Sequence, residues 1–208
     1  MEDALKLCIM MGKVAYRVAH RTLIMSEQSK PSKDPIQRFM SDLCDHIVAE
    51  HHTFVRREGP EILAQSRQLV VKDLASFKQI QRDFEALFHA LEPHMCKEET
   101  VIFPVCKRLE AEGPLFDSPL GSANNAVRIV FHEHTQGYDA LHVLEKQLQQ
   151  PHAEGPEFSE WLQRIQRFCD DLKLHIYLEN EVLFSMVMFR ENVLKAKAAA
   201  KAKGSPKA

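Results

Sequence analysis

Between about residue 35 and residue 190 the apolar residues recur at three- and four-residue steps in four long stretches, and this period restricts the fold more than any other feature. Pro35 suits the first turn of a helix, where its missing N–H costs nothing. Ile36, Phe39, Met40, Leu43, Ile47 and Phe54 then mark one face of a helix running to about Arg57, which Gly59–Pro60 breaks. A second stripe runs Phe77, Ile80, Phe84, Leu87, Leu91, Val101, Val105, Leu109, before a loop with Gly113–Pro114 and Pro119–Gly121. The third is Ala123, Val127, Val130, Tyr138, Leu141, Leu148, ended by Pro151. Gly155–Pro156 opens the fourth: Phe158, Leu162, Ile165, Phe168, Leu172, Val182, Met186. Four amphipathic helices joined by loops of moderate length predict an all-α chain, an antiparallel four-helix bundle.

Composition closes the alternatives. Seven glycines in 208 residues are too few for an all-β fold built on tight turns. No βαβ alternation, Gly-rich phosphate loop, or hydrolase or transferase signature occurs. No run of 18 apolar residues exists to span a membrane, and a formal charge of −2 gives no general case for nucleic-acid binding. The five cysteines are odd in number and form no CxxC pair, which points to reduced thiols and a cytoplasmic location. Three segments are expected: a leader over 1–34, helical in part; the bundle over 35–190; and a basic, Lys/Ala-rich, disordered tail over 191–208.

Eleven histidines are many for this length, and their positions carry the chemistry. His46 lies three after Leu43, His94 three after Leu91, His134 four after Val130, and His175 three after Leu172. Each helix thus turns one histidine into the same core, at steps of 48, 40 and 41 residues. Glu98 is four after His94 and Glu179 four after His175, so each carboxylate shares a face with an imidazole one turn away. The two segments echo each other at an offset of 81: His94-Met-Cys-Lys-Glu98 through Phe103, and His175-Ile-Tyr-Leu-Glu179 through Phe184. Buried carboxylates and facing imidazoles are costly unless paired or bound to metal. Four His and two Glu suit transition metal, and two carboxylates suffice to bridge two ions with two His on each. The predicted ligands are therefore His46, His94, Glu98, His134, His175 and Glu179. His132, His142, His89 and His152 fall on solvated faces or loops. His51 and His52 lie off the first stripe, so His52, with Glu50 and Glu133, is expected to support or border the ligands rather than bind metal.

These residues also carry a resemblance. Leu-Cys-Asp-His46-Ile-Val-Ala-Glu-His-His, His94-Met-x-Lys-Glu98-Glu with Phe103-Pro104, Glu133-His134 followed by Gly137, and Asp171-Leu-x-x-His175-Ile-x-Leu-Glu179-Asn resemble the hemerythrin-like di-iron proteins called repair of iron centres, over roughly 36–190. The resemblance implies a non-haem di-iron centre, oxo- or hydroxo-bridged, held by four His and two bridging Glu. It implies restoration of iron–sulfur clusters damaged by nitric oxide or oxidants, by iron donation to transient client proteins. Residues 1–34 lack the adjacent cysteines that many members carry, and the lysine tail lies outside the pattern. An oxygen- or nitric-oxide-binding or sensing hemerythrin-like protein is the alternative. Its oxygen-carrying members use HxxxH and HxxxxD, where this chain has Tyr138 and Asn180. The ExxH pairs of ferritin-like enzymes are absent.

Overall fold

The structure, a computed structural model, describes residues 39–112, 122–150 and 155–204. The expected leader, Pro35 and the loops holding Gly113–Pro114, Pro119–Gly121 and Pro151 lie outside the described residues. Four helical rods form an antiparallel bundle. The first is α1 (Phe39–His46), a π-helical stretch Ile47–His52, and α2 (Thr53–Ser66). The second is α3 (Leu74–Lys97), a π-helical stretch Glu98–Ile102, and α4 (Phe103–Glu112). The third is α5 (Ala123–Leu148), without such a stretch. The fourth is α6 (Pro156–Tyr177), a π-helical stretch Leu178–Phe184, and α7 (Ser185–Gly204). No helix among the described residues is long and apolar enough to cross a membrane.

Local chemistry starts the rods where polar residues meet apolar runs. The Asp73 carboxylate accepts from Ser76 N–H at the start of α3, and the Ser122 hydroxyl from Asn125 N–H at the start of α5. Pro156 opens α6, as expected. Gly59–Pro60 does not break the first rod; α2 runs through it to Ser66. Gly59 instead permits a close approach, because a Cβ there would lie 2.1 Å from Phe88 Cε2 on the second rod.

The tail also differs from expectation. Helix continues from residue 191 to Gly204, since alanine and lysine are strong helix formers. Glu191 is buried, and its Oε2 accepts from Asn124 N–H, 2.9 Å away, in the first turn of α5. The start of α1 is satisfied in the same way, with Met40 and Ser41 N–H both donating to the Glu110 carboxylate.

The core divides into two apolar blocks. One holds Val55, Phe84, Leu91, Leu141, Trp161 and Phe168; the other Leu43, Ile47, Ile102, Val130, Leu183 and Phe184. Every rod crosses from one block to the other, and where it crosses it carries histidine or glutamate. His52, Glu98, His134, His175 and Glu179 are all buried in this layer, at 0–2% exposure.

Candidate metal centre

Three of the four rods cross the layer in a π-helical turn, whose i→i+5 bonding takes one more residue than an α turn. The consequence is legible in burial. Within or just past each wide turn an inward residue falls one position later than a 3.6-residue period predicts: Val55 rather than Phe54, Ile102 rather than Val101, Leu183 and Val187 rather than Val182 and Met186. In the second rod Val105 and Leu109 face inward where the stripe has them. In the first rod the same shift moves the inward histidine. His52, five after Ile47, is fully buried in the layer, whereas His46 is half-buried outside it. Tyr138 on α5 is likewise outside the core, 40% exposed.

Two groups of four donors result. His52, Glu98, His175 and Glu179 form one, and His94, Glu98, His134 and Glu179 the other; within each, the donor atoms lie within 4.8 Å of one another. Each glutamate belongs to both. Glu98 Oε2 is 3.3 Å from His52 Nε2 while its Oε1 is 3.1 Å from His94 Nε2. Glu179 Oε1 is 3.2 Å from His175 Nε2 while its Oε2 is 3.1 Å from His134 Nε2. Within the groups the Nε2 atoms of His52 and His175 face at 3.2 Å, and those of His94 and His134 at 3.1 Å. Donors about 2.1 Å from a common first-row cation stand about 3 Å apart when adjacent in its coordination shell. The spacings fit that requirement.

The other imidazole nitrogens are oriented from behind. His52 Nδ1 meets Glu99 Oε1 at 2.7 Å, and Glu99 is also held by Arg56 Nη1 at 2.8 Å. His94 Nδ1 meets Glu133 Oε2 at 2.9 Å, and Glu133 is also bonded by Lys97. His134 Nδ1 meets Asn180 Oδ1 at 2.7 Å. With Nδ1–H donated, each of these rings presents an Nε2 lone pair to the centre, the arrangement metal-binding histidines require. The exception is His175, whose buried Nδ1 has no hydrogen-bond partner.

All four carboxylate oxygens of Glu98 and Glu179 are buried without a hydrogen-bond partner, because the nearby ring nitrogens do not offer them N–H geometry. Two adjacent carboxylates in a dry core demand compensating positive charge. Protons can supply it: burial pushes the His134 pKa down, but Glu179 and Glu98 outweigh it and drive it up to about 10. Burial works against ionisation of Glu98 too, yet His134, His52 and His94 hold it well below the usual carboxylate range. Glu179 is depressed as well: burial and the charge of Glu98 push it up, and His175 and His134 more than offset them. Cations are the other solution, and this donor set fits them.

Of the residues expected as ligands, the structure brings together His94, Glu98, His134, His175 and Glu179. It leaves out His46, whose ring centroid is 5.9 Å from that of His51, and adds His52. Glu50 is exposed, and Glu133 sits behind His94. The helical period alone does not mark Asn180 or Glu99 as supports. Glu99 could have been found from its position beside Glu98; only the fold joins Asn180 to His134. A groove of about 680 Å³ between α3 and α5 reaches this half of the centre, lined by Leu91, Pro93, His94, Glu133, His134 and Gly137 among others. Its lining includes neither His52 nor His175.

Residues 43–187, which span all four rods and the whole layer, match the family described as Hemerythrin HHE cation binding domain. The chain belongs to that family. Curated relatives carry the hemerythrin-like likeness further. The chain is 26% identical over 183 residues to the iron–sulfur cluster repair protein YtfE of Escherichia coli O157:H7, covering 81% of this chain and 78% of that protein. It is 26% identical over 182 residues, with the same coverage of each, to the protein of that name from Salmonella typhimurium strain LT2. The likeness to the repair proteins therefore extends over most of both chains.

Proposed function

We propose that this chain is a non-haem di-iron protein that repairs iron–sulfur clusters damaged by nitrosative or oxidative stress, supplying iron as its cargo. The observation that carries the reading is the sharing of Glu98 and Glu179 between two four-donor groups. His52 and His175 would hold one ion, His94 and His134 the other, and the carboxylates would bridge them. Iron so held would supply reversible redox and small-ligand chemistry. The chain's own residues do the rest. Glu99, Glu133 and Asn180 fix three of the rings in the tautomer that presents Nε2. The apolar blocks above and below exclude water from the carboxylates, which strengthens their hold on a cation. The mixed donor set of imidazole and carboxylate suits a first-row transition metal that must also be released. The relatives named for cluster repair support damaged iron–sulfur proteins as the clients. A second reading, binding of nitric oxide or oxygen, is favoured by the groove that reaches His94 and His134.

The test is an iron–sulfur enzyme inactivated by nitric oxide, incubated with iron-loaded wild-type protein, with metal-free protein, and with the Glu98→Ala variant. Repair by donation requires reactivation by the loaded protein alone, matched by loss of its iron. Reactivation without iron loss refutes donation and leaves nitric-oxide removal in its place.

A further inference from the structure

His175 is set apart from the other three centre imidazoles. Its Nδ1 is buried and unpartnered, and one turn earlier on α6 the Oδ2 atom of Asp171 is also buried and unpartnered. The other oxygen of Asp171 takes His51 Nδ1 at 3.0 Å. The His51 ring lies nearly parallel to that of His175, with centroids 5.7 Å apart and planes 14° apart. The His51 ring also meets that of His46, with centroids 5.9 Å apart and planes 84° apart, and His46 lies within electrostatic reach of Glu50. Burial rises along this line: Glu50 is exposed, His46 half-buried, His51 4% exposed and His175 0%. Side chains of metal-ligating kinds, in ring contact from the half-buried His46 through His51 to His175, thus approach the half of the centre that the groove between α3 and α5 does not reach.

None of these flanking side chains belongs to the four-donor groups. Their chemistry is still that of metal ligands: neutral imidazole and carboxylate, spaced by one ring at each step. Asp171 has one oxygen on His51 and one free, so it can engage a passing cation and then the His175 N–H without losing the first bond. We propose that His46, His51 and Asp171 form a transfer site through which ferrous iron passes between solvent and the His52/His175 half of the centre. The inference rests on the di-iron reading above and adds the route by which that iron leaves.

The experiment compares wild-type protein with His46→Ala, His46→Gln and Asp171→Asn, all loaded anaerobically with Fe²⁺, in two measurements. Final iron content reports the centre, and the rate of Fe²⁺ capture by bipyridine reports the route. The expected result is unchanged content in all variants, with capture slowed by about tenfold, the scale on which residues outside a metal's own ligands act. His142→Ala, on the exposed face of α5, should leave both unchanged. Wild-type capture rates in all three variants overturn the transfer site. So does slowing by Ala140→Leu, which narrows the α3–α5 groove, without slowing by His46→Ala. A direct probe is substoichiometric Mn²⁺ added to Zn²⁺-loaded protein. It should broaden the ring resonances of His46 and His51 before those of His132 and His142, and equal broadening overturns the site. A wild-type chain that takes up no iron removes the centre itself, a failure distinguishable from loss of the route alone.

Discussion

His52→Ala and His46→Ala separate the structure from the simple helical period. In the structure His52 is one of four donors in its group, and His46 is in neither group. Removing a residue that only supports a ligand costs 10–100-fold in metal affinity, so deleting a donor should cost more than about 100-fold, or about 2.7 kcal/mol. The second group keeps His94, His134 and both carboxylates, so its ion should stay. His52→Ala should therefore retain about one iron per chain after desalting, against about two for wild type and for His46→Ala. Metal analysis and anaerobic Fe²⁺ titration measure this directly, with circular dichroism confirming that each variant is folded. If His46→Ala loses an ion while His52→Ala keeps both, the first rod does not widen at Ile47–His52 and the assignment is wrong.

Glu98→Ala and Glu179→Ala should each drop well below one tightly bound iron, because each carboxylate serves both groups; one full equivalent in either variant would mean terminal rather than bridging ligation. In metal-free protein, protonated His134 contributes stability that is complete below its ordinary value of 6.5 and is lost as pH rises through about 10. The unfolding temperature of that form should accordingly fall from pH 6.5 to 10, and a midpoint that rises over this range contradicts the ion pairing. Depressed Glu98 and Glu179 act on the acid side, their contribution present above the ordinary carboxylate range and lost as pH falls through their lowered values. Gly59→Ala should destabilise the bundle by about 1–3 kcal/mol, since its Cβ meets the Phe88 ring; thermal unfolding at wild-type temperature would refute that close approach.

The bundle and most of the donor layer were legible in the sequence because α5, Tyr138 apart, and the portions of the other rods before their wide turns keep a 3.6-residue period. Val127, Val130, His134 and Leu141 fall inward as that period requires. Around the π turns the period fails by one position at Phe54, Val101, Val182 and Met186, although Val105 and Leu109 face inward as the stripe has them. Glu98 and Glu179 survived because each opens or nearly opens its π stretch, before the shift has accumulated. His52 closes its stretch, so a straight 3.6-residue period points to His46 in its place. The step from Ile47 to Val55 is eight residues, two turns with one residue to spare, and that surplus was the available signal. Gly59–Pro60 misleads for another reason: the pair reads as a helix break, whereas the small size of Gly59 serves the packing of two rods. Asn180, which stands where the oxygen-carrying pattern has aspartate, orients His134 in the fold.

The division of the core has a consequence for how the molecule opens. An ordinary bundle frays at its ends and guards its amides best at mid-length. Here mid-length is where three backbones widen and where apolar packing gives way to titratable groups. Stripped of metal, the chain should exchange amide hydrogens fastest, outside its termini and loops, in a belt across its waist at Ile47–His52, Glu98–Ile102 and Leu178–Phe184. Filling the centre should close that belt while leaving the two apolar blocks almost unchanged. The same turns that aim the donors inward would then let the waist loosen when the cargo departs, so that emptying is sensed by the backbone without any hinge or lid.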